Sequence, residues 1–241
     1  MNESSKALSV REMAALTKRL PRRERGFWFG FAIDVLWPIV VLFIPMRMTG
    51  QEHVPKTGGV LLAFNHISFA DPVSSTVFAL VSGRVPRYLA KASLWRLPLV
   101  GSIMRSGKHV PVDRGTNRAG EALSGAQGAV ADGECVAVYP EGTFTNDPEG
   151  WPMTGKSGVA RAALISRKPV IPVAQWGTQR LLPRGSFLPR PLPRKRVDVA
   201  AGPEVDLSDL YDLPLSKEVL DKATARIMAA ITDLLAGIRA V

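Results

Sequence analysis

A largely apolar run of eighteen residues, Phe27 to Ile44 (FWFGFAIDVLWPIVVLFI), sets the tightest limit on what this chain can become, because that much hydrocarbon must be covered by a core or by lipid. The run approaches the length of a bilayer span, yet Asp34 lies inside it and Pro38 divides it into two shorter pieces. An uncompensated Asp near mid-bilayer costs roughly 3 kcal/mol, and the aromatic residues Phe27, Trp28, Phe29, Phe31 and Trp37 suit the water–lipid boundary better than its centre. The pattern favours a pair of interfacial or half-inserted helices over a full span, and over a core helix of a soluble protein.

Residues 1–25 carry seven Lys and Arg against three acids. Ser9-x-x-Glu12 reads as a capping box, Pro21 as a stop, and Leu8, Met13, Leu16 and Leu20 recur on one helical face. Residues 1–47 are therefore expected to form a basic amphipathic and apolar membrane-docking segment. A cleaved signal peptide does not fit: the charged region is too long, and Pro45-Met-Arg-Met-Thr-Gly50 offers no small-x-small cleavage site. The chain is expected to remain at the cytoplasmic face of the membrane, peripheral or monotopic.

From residue 58 short apolar runs alternate with helical patterns, which implies one α/β domain, taken as 48–241, with a mixed, mostly parallel sheet flanked by helices. Strands are predicted over 59–64, 109–112, 135–139, 170–174 and 197–201, and helices over 72–81, 116–131, 158–166 and 217–238. Between Arg180 and Arg196 lie six basic residues, four prolines and no acid, the composition of an exposed basic loop. The net charge of +10 favours polyanionic partners: nucleic acid, anionic lipid or acidic protein. The single cysteine, Cys135, permits no intrachain disulfide or Cys-rich metal site and sits in an apolar strand run, as a core thiol does.

The sharpest local feature is Phe64-Asn65-His66-Ile67-Ser68-Phe69-Ala70-Asp71-Pro72, where an apolar strand gives way to a helix. A neutral imidazole beside an ionised Asp can take a proton from a hydroxyl near neutral pH. Asp71-Pro72 also reads as an N-cap and N1 pair, a role compatible with orienting His66. A second strand end carries Tyr139-Pro140-Glu141-Gly142-Thr143, and a third runs from Gly107 to Asp113-Arg114. In a mostly parallel sheet these ends meet at one edge, the usual place for an α/β ligand site. Arg114 brings a planar guanidinium to that edge, and Lys91 and Lys156 read as solvated surface charges. His53 and His109 read as structural or exposed.

These blocks resemble the glycerolipid acyltransferases typified by 1-acylglycerol-3-phosphate O-acyltransferase. Asn65, His66 and Asp71 match the family's Asn-His-x4-Asp, and Gly107 to Arg114 match its Gly…Asp-Arg strand end. Tyr139 to Thr143 match part of its Phe-Pro-Glu-Gly-Thr-Arg-Ser, and Val170 to Val173 match its Val-Ile-Pro-Val strand. The third block departs from the family by ending in Phe144-Thr145, which removes a cation expected near the acceptor's phosphate.

The resemblance implies transfer of a fatty acyl group from an acyl thioester, acyl-CoA or acyl carrier protein, to a glycerol-phosphate hydroxyl, foremost that of lysophosphatidate. Glycerol 3-phosphate or another lysophospholipid is the alternative acceptor. His66 and Asp71 would be catalytic, with Asn65, Arg114, Glu141, Gly142, Thr143, Lys91 and Lys156 against the substrates. It implies no cofactor beyond the acyl-CoA or acyl carrier protein co-substrate, no metal, and a membrane lipid surface in place of nucleic acid. Consistent with direct transfer, the chain has no Gly-x-Ser-x-Gly elbow. A non-enzymatic basic protein of the membrane surface is the alternative of another class. Gly150-x4-Gly155-Lys156-Ser157 satisfies the phosphate-loop pattern, but no apolar strand immediately precedes it.

Overall fold

The computed structural model describes residues 7–112, 119–183, 185–186 and 188–240, with the backbone alone over 119–124. Its elements run α1 (Val10–Leu16), α2 (Phe27–Phe43), β1 (Met46–Thr49), β2 (Val60–Phe64), α3 (Asp71–Val81), β3 (Pro86–Lys91), α4 (Pro98–Ser106) and β4 (Val110–Val112). They continue as α5 (Ala119–Ala131), β5 (Cys135–Val138), α6 (Gly158–Ser166), β6 (Val170–Trp176), α7 (Thr178–Leu181), β7 (Val197–Ala201) and α8 (Lys217–Arg239). The strands form one seven-stranded sheet in the order β1-β7-β6-β2-β5-β3-β4, parallel except where β6 meets β7. The expected mixed, mostly parallel sheet is thus present. The ends of β2, β3, β4, β5 and β6 share one edge.

Alternation along β2 shows why both faces are covered. Val60, Leu62 and Phe64 face a core shared with α1, α2 and α3, while Leu61 and Ala63 face a second core built with α5, α6 and α8. Two strands, β1 and β3, carry no apolar-run signal in the sequence, because each holds an arginine whose charge is buried against a distant partner. Arg47 Nε lies 2.7 Å from Asp198 Oδ1, and Arg87 Nε lies 3.1 Å from Glu134 Oε2.

The N-terminal residues require two corrections. The capping box at Ser9 and Glu12 forms as read, but Pro38 does not divide the apolar run, and α2 is one continuous helix. Phe29, Ile33 and Trp37 before the proline and Val40 and Val41 beyond it enter the same core, which holds both halves in line against the proline's cost of about 3 kcal/mol. Nor is 1–47 separable from 48–241. Met13 and Leu20 join that core, and the proposed boundary falls inside β1. Asp34, 77% exposed, is compensated by the buried Arg25 at 3.4 Å. Gly26, with φ +67°, opens α2 where a Cβ would come within 2.1 Å of the Ser106 carbonyl oxygen, and Ser106 Oγ accepts from the Trp28 amide at 2.9 Å. Among the described residues no helix is long and apolar enough to cross a membrane.

Candidate active site

β2 ends at Phe64, and seven residues later α3 begins at Asp71, with Ala70 rather than Asp71 at the cap position. His66 Nδ1 lies 2.8 Å from Asp71 Oδ2. The Asp71 carboxylate is fully buried; Oδ2 also accepts from the amides of Ile67 (2.6 Å) and Ser68 (2.8 Å), and Oδ1 accepts from the Thr178 hydroxyl (2.6 Å). A carboxyl surrounded by donors is ionised and only accepts, so the hydrogen-bond network assigns the imidazole proton to Nδ1. The Nε2 lone pair is left for a substrate proton.

Two residues expected against the substrates do other work. Asn65 is fully buried, and its side-chain oxygen accepts from the Gln175 amide (2.8 Å) while its Nδ2 donates to the Gln175 carbonyl (3.0 Å). Gln175 returns a bond from Nε2 to the Asn65 carbonyl (3.0 Å), so this pair locks the end of β2 to β6. Glu141, also buried, accepts from the His66 amide through Oε1 and from the Met153 amide through Oε2, both at 3.0 Å. Burial raises the Glu141 carboxyl above its ordinary value, opposed by those two amides. The Thr145 amide donates to the His66 carbonyl (2.8 Å). The loop after β5 therefore grips His66 by both main-chain groups, and Asn65 and Glu141 are supports, not cavity wall.

His66 opens on a cavity of about 850 Å³, whose wall includes Gly142, Thr143, Lys91 and Lys156. Most of the wall is apolar, from Leu61, Leu89, Leu94, Val138 and Val159 among others. The imidazole is packed against Tyr139 (centroids 4.0 Å apart, 18° between planes) and Phe144 (4.1 Å). Gly142, at φ +70°, has no Cβ because the Lys156 chain lies over it, 3.0 Å from where that carbon would be. Arg114 lies outside the described residues, although Val112, the last residue of β4, reaches the cavity. Arg161 of α6, not singled out from sequence, is a further cation in the wall.

Other contributors also left no local sequence signal. Thr178 reaches Asp71 across 107 residues of chain. Arg239, at the end of α8, places its guanidinium 4.0 Å over Trp151 and 4.5 Å over Trp176, joining the loop that grips His66 to the end of β6. Cys135 is buried, which pushes its thiol up to about 12, out of reach of nucleophilic use. Among the histidines His53 is exposed and His109 is buried, its Nδ1 accepting from the Tyr88 amide at 3.1 Å. Gly150 to Lys156 form an irregular loop, and the nearest upstream strand, β5, ends at Val138, so no phosphate loop is built. Among the described residues no cluster of three or more His, Cys, Asp and Glu could hold a metal ion.

A family profile described as Acyltransferase matches residues 45–176, more than half of the chain. Across 86% of its length the chain is 26% identical to a protein named 1-acyl-sn-glycerol-3-phosphate acyltransferase from Bacillus subtilis (strain 168), of which it covers 96%. It is 28% identical over 163 residues to the chloroplastic 1-acyl-sn-glycerol-3-phosphate acyltransferase BAT2 from Brassica napus, spanning 45% of that longer relative. A crystal structure of the 1-acyl-sn-glycerophosphate (LPA) acyltransferase PlsC from Thermotoga maritima superposes with a TM-score of 0.63 at 25% identity, covering 96% of this chain and 80% of that one.

Proposed function

The chain belongs to the acyltransferase family, and from that premise we propose that it transfers a fatty acyl group from an acyl thioester, acyl-CoA or acyl carrier protein, to the free hydroxyl of lysophosphatidate. The observation that carries this reading is the His66–Asp71 pair, 2.8 Å apart, opening on a largely apolar cavity of about 850 Å³. His66 Nε2 removes the acceptor's hydroxyl proton as its oxygen attacks the thioester carbonyl. Asp71 holds the ring and stabilises the imidazolium. The new C–O bond forms, the C–S bond breaks, and the imidazolium returns the proton to the departing thiolate. The backbone amides of Thr143 and Phe144, two residues of the cavity wall, make no hydrogen bond among the described residues and would serve the oxyanion.

Lys91, Lys156 and Arg161 have no ion-pair partner among the described residues, which suits them to phosphate on either substrate. Phe144 packed on His66 favours a second reading for the acceptor, a lysophospholipid other than lysophosphatidate, since an aromatic ring stands where the family has its cation. The enzyme would act peripherally or monotopically at the cytoplasmic surface of a membrane. The support is the outer side of α2, where Phe27, Trp28, Phe31, Val35, Leu36, Ile39 and Leu42 are all exposed. The test is a panel of lysophosphatidate, glycerol 3-phosphate and neutral- and choline-headed lysophospholipids with labelled palmitoyl and oleoyl thioesters. Fastest esterification of lysophosphatidate supports the first reading; preference for another lysophospholipid selects the second, and turnover of none contradicts both.

A further inference from the structure

The basic segment Arg180–Arg196 has no part in the chemistry above, yet it lies at the same edge of the sheet as His66. It leaves from the end of β6 through α7 and returns at Val197, whose amide donates to the Pro45 carbonyl (3.0 Å) just beyond α2. The Ser68 hydroxyl, two residues from His66, donates to the Leu182 carbonyl (2.8 Å). Gly185 closes a second cavity of about 230 Å³ whose other walls include Ser68, Phe69, Thr143 and Phe144, directly beside the His66 ring.

The segment is held in shape from within. The Lys195 ammonium donates to the carbonyls of Arg190 (2.8 Å), Pro193 (3.1 Å) and Leu192 (3.3 Å), and Arg196 is paired with Asp198. That fixed frame leaves Leu188 74% and Leu192 64% exposed. Arg180, Arg190 and Arg194 are exposed with no acid partner among the described residues, and no acid occurs between 180 and 196. Protruding leucines interleaved with unpaired cations match a surface that is anionic outside and apolar beneath. An acidic protein would satisfy the cations but leave the leucines without a purpose.

We infer that the Arg180–Arg196 segment is a second contact with an anionic lipid surface, continuous with the end of α2, and that it seats the small cavity beside Phe144 on the bilayer. The lipid contact stands on the segment's own surface; that the acceptor enters there rests on the acyl-transfer reading. The test uses the full chain, sedimented with vesicles of phosphatidylcholine alone or of equal parts phosphatidylcholine and phosphatidylglycerol. Two pairs of substitutions, Leu188→Ser with Leu192→Ser and Arg190→Glu with Arg194→Glu, alter side chains outside the walls of both cavities. The leucine pair should lower partitioning at least about tenfold on both vesicles, and the arginine pair should do so only on the anionic ones, an effect that salt imitates. Turnover of a short-chain acceptor dispersed in water should stay within about twofold, while that of a bilayer-embedded long-chain acceptor falls with partitioning. Unchanged partitioning of both pairs overturns the inference, and so does an arginine pair that leaves partitioning alone but raises the KM of an acyl carrier protein donor. Single Leu192→Ser repeats the test if a pair disturbs folding. An unmodified chain that binds vesicles but esterifies no acceptor would contradict the acyl-transfer reading while leaving the vesicle arm intact.

Discussion

Helices α2 and α8 each bury a stripe in one of the two cores that cover the sheet, and their outward sides differ. α8 buries Leu220, Ala223, Ile227, Ile231 and Leu235 and turns Lys217, Asp221 and Lys222 to water, where Lys217 pairs with Asp221 and Lys222 with Asp209. α2 buries a comparable stripe, yet apart from Asp34 its exposed side is hydrocarbon, with Phe27 75% and Phe31 55% exposed. One apolar stripe suffices to dock a helix on a sheet, so the second stripe on α2 has no folding purpose. The same helix is at once core element and proposed lipid contact, and that is why it cannot be treated as an appended anchor.

Removing residues 1–46 is the most severe way to challenge that comparison. The deletion takes Met13, Leu20, Phe29, Ile33, Trp37, Val40, Val41 and Met46 from one core, and at about 1.5–3 kcal/mol for each large side chain the loss matches or exceeds a typical net stability of about 5–15 kcal/mol. Urea titration of the truncated chain should show no cooperative transition. A truncated chain that unfolds cooperatively near the full chain's midpoint would make α2 an appendage after all. Next in size, Trp37→Ala should cost about 3–5 kcal/mol, because it empties a core site and strands the Thr17 hydroxyl that Trp37 Nε1 bonds at 2.8 Å. Urea unfolding midpoints measure it directly.

His109 tests the inner side of α2 through pH. It packs edge-on against Phe29, with ring centroids 4.7 Å apart, and burial aided by the Arg87 charge lowers it to about 4 from 6.5. The unfolded chain then binds more protons between those values, so this contribution is complete above pH 6.5, declines as pH falls toward 4 and is constant below that. About 3 kcal/mol is at stake across the window. His109→Gln, which keeps an acceptor for the Tyr88 amide, should remove that part of the pH dependence in urea titrations and leave the rest. The smallest effect on stability belongs to the outer side: Phe31→Ser with Ile39→Ser should shift unfolding by no more than about 1 kcal/mol while clearly weakening vesicle partitioning. A large stability loss with unchanged partitioning would reverse the assignment of the two sides.

How far the fold could be read depended on whether partners are close in sequence. His66 and Asp71 are five residues apart, so their pairing was legible, and β2, β5, β6 and β7 announced themselves as apolar runs. β1 and β3 did not, because Arg47 and Arg87 look like surface charges until Asp198 and Glu134 are brought alongside. Asn65 and Glu141 were found by motif but misread as substrate contacts, since Gln175 and Met153, which occupy their polar atoms, reach them only through sheet order and loop folding. Pro38 misled for a similar reason: the core on one side of α2 outweighs the local break.

The most direct measurement is single-turnover acyl transfer by His66→Ala, with the unmodified chain as reference, lysophosphatidate in mixed vesicles as acceptor and a labelled acyl thioester as donor. With Asp71 still buried and the cavity unchanged, loss of the general base should slow labelled phosphatidate formation by about 10²- to 10⁴-fold at unaltered unfolding midpoint and vesicle binding. A rate within about threefold of the unmodified chain, less than ~1 kcal/mol of barrier, would place the proton acceptor elsewhere and contradict the role given to His66.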